Sequence, residues 1–225
     1  MGLTIHYQLS TRRKLDSAAV RALAEKLRAA AVKLGAASVS EVFAVLPDLT
    51  VTYYAPRRAR RISDLVPPQE GWLFGVNPGD GCEGVRLGLC RFEGVRGWRL
   101  DSFCKTQYAA RHGWEHFRDC HRMVIELLWT AEDLGLKAKV HDEGGLWETG
   151  SEARLRRRLA EYDRGIAAFG GALKDAANRC SERIRGPIFD DPRFERLEAE
   201  GMAESGDKIT AAVEIAKRFA RSPRG

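Results

Sequence analysis

Three apolar runs separated by short links place the strongest constraint on the fold. They are GWLFGV (71–76), VRLGLCRF (85–92) and GWRLDSFCKTQY (97–108). Short glycine-rich links join antiparallel neighbours, so the runs predict a three-strand meander. The first link, NPGDGCEG (77–84), also contains Cys82 and Glu83, which a turn does not require. These two residues raise the question of whether the turn belongs to a functional site.

The surrounding segments predict an α+β fold. LTIHYQL alternates apolar and polar residues like a half-buried strand, and helical periodicity follows from Asp16 or Ser17 to Gly35. EVFAVL (41–46) and VTYY predict two short strands, the second followed by a basic loop. A helix at about 114–134 precedes the strand LKAKV (136–140), which indicates a β-α-β crossover with parallel strands. We therefore expect a mixed sheet with an antiparallel meander, a β-α-β crossover and helices packed on it.

The pattern changes after Ser151. Apolar residues alternate by four and three between Leu155 and Cys180, which predicts a long helix with a coiled-coil-like seam. A break at RGPIFDDPRF and a weaker helix near 208–220 follow. The sequence thus predicts an α+β sheet domain at 1–150 and a helical C-terminal segment at 151–225 packed on it. The seam would pack on the same chain or form a homodimer.

Composition limits the compartment and the partners. No apolar run approaches the roughly 18 residues of a spanning helix, and the N-terminus lacks the features of a secretory signal. The five cysteines include no C-x-x-C pair, which favours free thiols in the cytoplasm. The net charge of +6 and the clusters TRRK, PRRARR (56–61) and RLRRR would suit nucleic acid or a solvated surface.

Counting strand directions brings several polar segments to one edge of the sheet. The turn after the first run, the end of the third run and the end of 136–140 should meet there, beside the start of the helix at 114. Ligands of open α/β sheets bind at such edges. We expect Glu83, Asp142 and Glu143 to supply acid/base carboxylates or ligands for a divalent metal. The expected substrate-binding residues are Lys105, Gln107, Tyr108 and His112.

Two features of this edge leave alternatives open. Asp142 and Glu143 are neighbours, so in a strand only one of them can face a given pocket. Cys104 and His121 should lie at similar depth, either as a nucleophile pair or as a buried core pair. The first functional hypothesis is an enzyme that hydrolyses, or transfers a group to, a small polar or anionic substrate. The alternative is a non-catalytic module that binds nucleic acid or protein through the arginine clusters and the 155–180 seam.

Several motifs resemble those of a family of uncharacterised bacterial proteins. They are MGLTIHY, PGDGCE, FCKTQYA, the CH at 120–121 and DEGGLWE. The resemblance would cover roughly residues 1–175. It implies a shared fold and brings no known activity.

Overall fold

The computed structural model describes residues 3–11, 13–45, 67–178 and 184–221. The strands within this part are β1 (Thr4–Thr11), β2 (Ser38–Val39), β3 (Phe43–Val45), β4 (Glu70–Asn77), β5 (Val85–Arg91), β6 (Arg99–Lys105) and β7 (Leu136–Asp142). The α-helices are α1 (Ser17–Lys33), α2 (Trp114–Asp133), α3 (Leu146–Thr149), α4 (Glu152–Asn178) and α5 (Phe194–Arg221). The expected VTYY strand and the arginine cluster at 56–61 lie outside the described residues.

The α+β class is confirmed, with a sheet in the order β2-β4-β5-β6-β1-β7 and β3 paired to β4. Every pairing in the described part of the sheet is antiparallel, including the β4-β5-β6 meander. The β6-α2-β7 crossover joins two parallel strands, but β1 is inserted between them and pairs with both. The sequence predicts a mixed sheet with β6 and β7 as parallel neighbours. In the structure β1 lies between them and is antiparallel to both, so neighbouring strands are antiparallel.

Helices cover one face of this sheet. Asp16 caps α1 by accepting a 2.8 Å hydrogen bond from the amide of Ala19. The helix packs against β4 and β5, where Trp72 donates its indole N–H to Ser17. Helix α2 packs against β7 and buries a stripe that includes Phe117, Val124 and Leu128. We call the side of β6, β1 and β7 that these helices bury the covered face, and the opposite side the open face.

The alternation in β1 divides its side chains between the two faces. Leu3, Ile5 and Leu9 are fully buried on the covered face. His6 and Gln8 lie on the open face, opposite residues of β6 and β7 with the same orientation. The half-buried strand that the sequence predicts thus lies between β6 and β7 and contributes side chains to both faces.

The chain divides into two compact units, residues 2–156 and 157–225. In the second unit Ala167, Phe194 and Leu197 form a buried cluster. The seam residues between Tyr162 and Leu173 are only half-buried. The fully buried positions of α4 in this stretch are instead small residues such as Ala167 and Ala168. Whether the seam forms a dimer stays a prediction. Among the described residues, no helix combines the length and apolar character needed to cross a membrane.

Candidate functional site

Backbone hydrogen bonds tie the segments at one edge of the sheet together. The amide of Glu83 donates to the carbonyl of Lys105 at 2.9 Å, and the amide of Glu143 donates to the carbonyl of Thr4 at 3.2 Å. Leu3 donates its amide to the side chain of Gln107 at 3.2 Å. The turn, the end of β6, the end of β7 and the start of β1 therefore share one rim, although their side chains diverge onto the two faces.

Asp142 lies on the covered face, where its carboxylate holds the chain after β7. Both of its oxygens are buried, and they accept hydrogen bonds from the amides of Gly144 at 2.8 Å, Leu146 at 2.7 Å and Trp147 at 3.1 Å. Its fourth partner is Nε2 of His121 at 3.2 Å. The carboxylate thus anchors the turn into α3 instead of facing a ligand.

This network decides the charge of Asp142. Burial alone would raise the pKa of its carboxyl, but the hydrogen bonds from His121 and from the amides of Trp147 and Gly144 lower that pKa below 3.8. The turn also depends on glycine, since a Cβ at Gly144 would lie 2.5 Å from Leu155 and 3.0 Å from His121. The backbone at Gly144 therefore packs closely against core side chains.

His121 joins Asp142 to Thr106 in a fully buried chain of hydrogen bonds. Oγ1 of Thr106 lies 2.8 Å from Nδ1 of His121, and neither residue is exposed to solvent. Hydroxyl, imidazole and carboxylate follow the order of a hydrolase triad, but no substrate reaches them. The hydrogen-bond partners of His121 are thus Thr106 and Asp142 rather than Cys104.

Glu83 and Lys105 meet at the rim, with 3.4 Å between Oε1 and Nζ and side chains that are 40% and 36% exposed. Cys82 turns inward, and its Sγ lies 3.7 Å from Sγ of Cys104. The hydrogen bond with Cys104 and burial raise the pKa of the Cys82 thiol, so the thiol stays protonated near neutral pH. Cys82 is therefore a packing residue, whereas Glu83 presents a charge at the surface.

The remaining predicted site residues, Gln107, Tyr108 and His112, lie on one short 3-10 helix (Gln107–His112) but have different surroundings. Gln107 is buried, and its side-chain oxygen accepts the hydrogen bond from the amide of Leu3, whereas Tyr108 is 45% exposed. The ring of His112 lies against that of His116, at 5.1 Å between centroids. In the described part of the chain, no three histidine, cysteine or acidic side chains are arranged to hold a metal ion.

The open face carries three rings in one row across β6, β1 and β7. Phe103 pairs with His6, and His6 pairs with His141, in the register of the two ladders. Ring centroids are 6.1 Å apart for Phe103 and His6 and 6.3 Å apart for His6 and His141. Phe103 is 42% exposed, so this apolar ring faces solvent from the middle of a sheet. Oε1 of Glu143 lies 4.0 Å from Nε2 of His6, the middle ring of the row.

The row lies in an open cavity of about 430 Å³. Its lining includes Gln8, Arg99, Asp101 and Lys139 beside the three rings. Arg99 is paired with Asp101 at 2.7 Å, whereas Lys139 is exposed and has no acidic partner among the described residues. The cavity therefore combines a flat apolar surface, two imidazoles and an unpaired cation.

His6, Phe103, Lys139 and His141 are not among the residues that the sequence predicts to have a catalytic or binding role. The alternation of LTIHYQL and of LKAKVH put His6, Lys139 and His141 on polar faces, which was a usable signal. The alternation does not show which strands are neighbours, and in particular it does not show that β1 lies between β6 and β7.

Fold and site together define an α+β protein with an antiparallel sheet that is open on one face at β6, β1 and β7. The chain matches no protein-family model, and neither a curated protein nor a solved structure is significantly similar to it. The resemblance to a family of uncharacterised bacterial proteins stays a prediction.

Proposed function

We propose that the chain binds single-stranded nucleic acid on the open face of β6, β1 and β7. The observation that carries the proposal is the row formed by Phe103, His6 and His141 across three adjacent strands. Sheets that bind single strands present aromatic side chains on which unstacked bases stack. A half-exposed phenylalanine at the centre of a polar sheet face has the same character.

The cations around the row are suited to phosphates. Lys137 and Lys139 are exposed on β7, and both lie outside the ion pairs of the described residues. Nζ of Lys105 lies 5.6 Å from the centroid of Phe103, so a cation also stands beside the stacking ring. A groove that joins cations to aromatic rings binds single strands with little sequence preference. We therefore expect a base on Phe103 and its phosphates near Lys139 and the imidazoles.

This proposal differs from both hypotheses drawn from the sequence. Nucleic acid would bind to the open face rather than to the arginine clusters, and the small-substrate enzyme has less support. That enzyme required Asp142 and Gln107 in a pocket, but both bond to backbone amides on the buried side. Glu83 and Lys105 already neutralise each other at the rim. Within the described part of the chain, no buried hydrogen bond of this kind holds Phe103, His6 or His141.

The proposal is tested by fluorescence anisotropy with a labelled twelve-nucleotide strand. Phe103→Ala should weaken binding by roughly 5-fold to 150-fold, because stacking on one aromatic ring contributes ~1–3 kcal/mol per base. Trp129→Ala is the matched control: this ring is 40% exposed on α2, away from the open face. Equal affinities of the Phe103→Ala variant and the unchanged protein would contradict the proposal.

Salt dependence tests the phosphate contacts separately. Lys139→Ala should make the slope of log affinity against log salt shallower by about 0.7, the value for one phosphate contact with a single strand. Lys33→Ala removes a lysine of equal charge at the end of α1 and should leave the slope unchanged. An unchanged slope for Lys139→Ala would place the phosphates elsewhere.

A further inference from the structure

The two imidazoles of the open face form a cross-strand pair. His6 and His141 are direct partners in the β1-β7 ladder, and their rings are 22° from parallel with centroids 6.3 Å apart. The His6 side chain is 52% exposed and His141 is also exposed. Unlike His121, both rings can therefore exchange protons with a bound ligand and with water.

We propose that His6 and His141 cleave bound RNA by general acid–base catalysis, with the ribose 2′-hydroxyl as the nucleophile. The inference rests on the proposed binding of a single strand to the same face and names RNA as the substrate. Two imidazoles on one surface can serve as the base and the acid of a single reaction. Other nucleic-acid contacts of the face hold the strand, whereas these two rings would touch the reacting atoms.

The ligand position follows from the order of the row. Phe103 lies on one side of His6, at 6.1 Å, and His141 lies on the other side. A base stacked on Phe103 therefore directs the adjoining phosphodiester over the pair of imidazoles. Lys139 pairs with Gln8, two residues along β7 from His141 on the same face, and its ammonium can stabilise charge on the phosphate oxygens.

The step balances without any further reactant. Neutral His141 accepts the proton of the 2′-hydroxyl while the 2′-oxygen forms a bond to phosphorus. The bond from phosphorus to the 5′-oxygen breaks, and the leaving oxygen takes a proton from protonated His6. The products are a 2′,3′-cyclic phosphate and a 5′-hydroxyl, and proton exchange with water restores both rings. Oε1 of Glu143 lies 4.0 Å from Nε2 of His6, the ring that is assigned the acid role.

The experiment uses a DNA strand that contains a single ribonucleotide, in the presence of EDTA. Binding is followed by anisotropy and cleavage by gel and mass spectrometry in the same sample. We expect cleavage at the ribonucleotide alone, with a cyclic phosphate on the 5′ fragment. His6→Asn and His141→Asn should each reduce the cleavage rate of the bound strand, measured with the strand saturated with protein, by about 100-fold or more.

His116→Asn is the matched control, because it alters a histidine that is bonded to the carbonyl of Asp80 away from the row. Its rate should equal that of the unchanged protein, and melting temperatures should show that all three variants are folded. Binding without cleavage would overturn the inference and leave the proposed function standing. Absence of both binding and cleavage would overturn both. Cleavage that persists in both row variants would show that the histidines are not the catalysts.

Discussion

Asp142 and Glu143 are adjacent acidic residues whose side chains lie on opposite faces of the sheet. Asp142 is fully buried on the covered face and accepts four hydrogen bonds. Glu143 is 31% exposed, accepts one bond from the amide of Thr4 at 2.9 Å and lies near His6. The same chemical group therefore holds the fold together on one side and remains available to a ligand on the other.

The histidines repeat this contrast. His121 has both ring nitrogens occupied by buried partners, so its protons are fixed by Thr106 and Asp142. His6 and His141 face solvent and have neighbours at longer range. A polar group with every bond satisfied inside a core has a structural role, however closely its order imitates an active site. Function is to be sought where polar groups are grouped but not saturated.

The largest effect expected from this contrast is on stability. Asp142→Ala should lower the free energy of unfolding by about 3–5 kcal/mol, because it leaves His121 and three amides without their buried partner. Glu143→Ala removes one bond at a partly exposed position and should cost about 1 kcal/mol. Urea denaturation of both variants measures the difference. Equal losses of unfolding free energy would show that Asp142 is no more important for stability than Glu143.

Thr106→Val tests the other end of the buried chain with little change of shape. It leaves Nδ1 of His121 unpaired in the core, so we expect a loss of about 1–3 kcal/mol. Gln8→Ala provides the comparison on the open face, where the amide bonds to Asp101 beside solvent. Its cost should stay under about 1 kcal/mol, again by urea denaturation. A smaller loss of unfolding free energy for Thr106→Val than for Gln8→Ala would contradict a structural role for the buried hydrogen bonds of His121.

Acid should weaken the covered face selectively. The pKa of Asp142 is lower in the folded protein than its ordinary 3.8, so its stabilising effect is complete above the unfolded pKa and is lost as pH falls through the folded pKa. The difference in unfolding free energy between the unchanged protein and Asp142→Asn should therefore narrow below about pH 4. One group changes stability by at most ~1.4 kcal/mol per pH unit. Denaturation between about pH 5 and pH 3 checks this, and a constant difference would contradict it.

The rim was predictable because short links fix the directions of the meander. Glu83, Lys105 and Asp142 share an edge, as strand counting requires. The division of that edge into two faces was not predictable in the same way. It depends on β1, whose partners in β6 and β7 are distant in the sequence, and pairing at such a distance follows from packing rather than from local pattern.

Alternation did contain part of the missing information. It stated that Asp142 and Glu143 could not both enter one pocket, and it placed His6 on the polar side of its strand. It could not show which acid would be buried, since that depends on His121 arriving from α2. The residues of the proposed site were thus visible individually in the sequence, but their grouping on one face required the strand register.

The smallest expected effect concerns Glu83, the residue that a turn did not need. Glu83→Gln should change the free energy of unfolding by less than about 0.5 kcal/mol, because its ion pair with Lys105 is exposed. The same change frees a cation that lies beside Phe103. We therefore expect binding of a single strand to strengthen by about 2-fold to 5-fold, the equivalent of ~0.4–1 kcal/mol. Parallel urea and anisotropy measurements separate the two effects, with Glu25→Gln on α1 as the charge-matched control. Weaker binding would mean that Glu83 itself contacts the ligand, and the open face would then act through its acids rather than its cations.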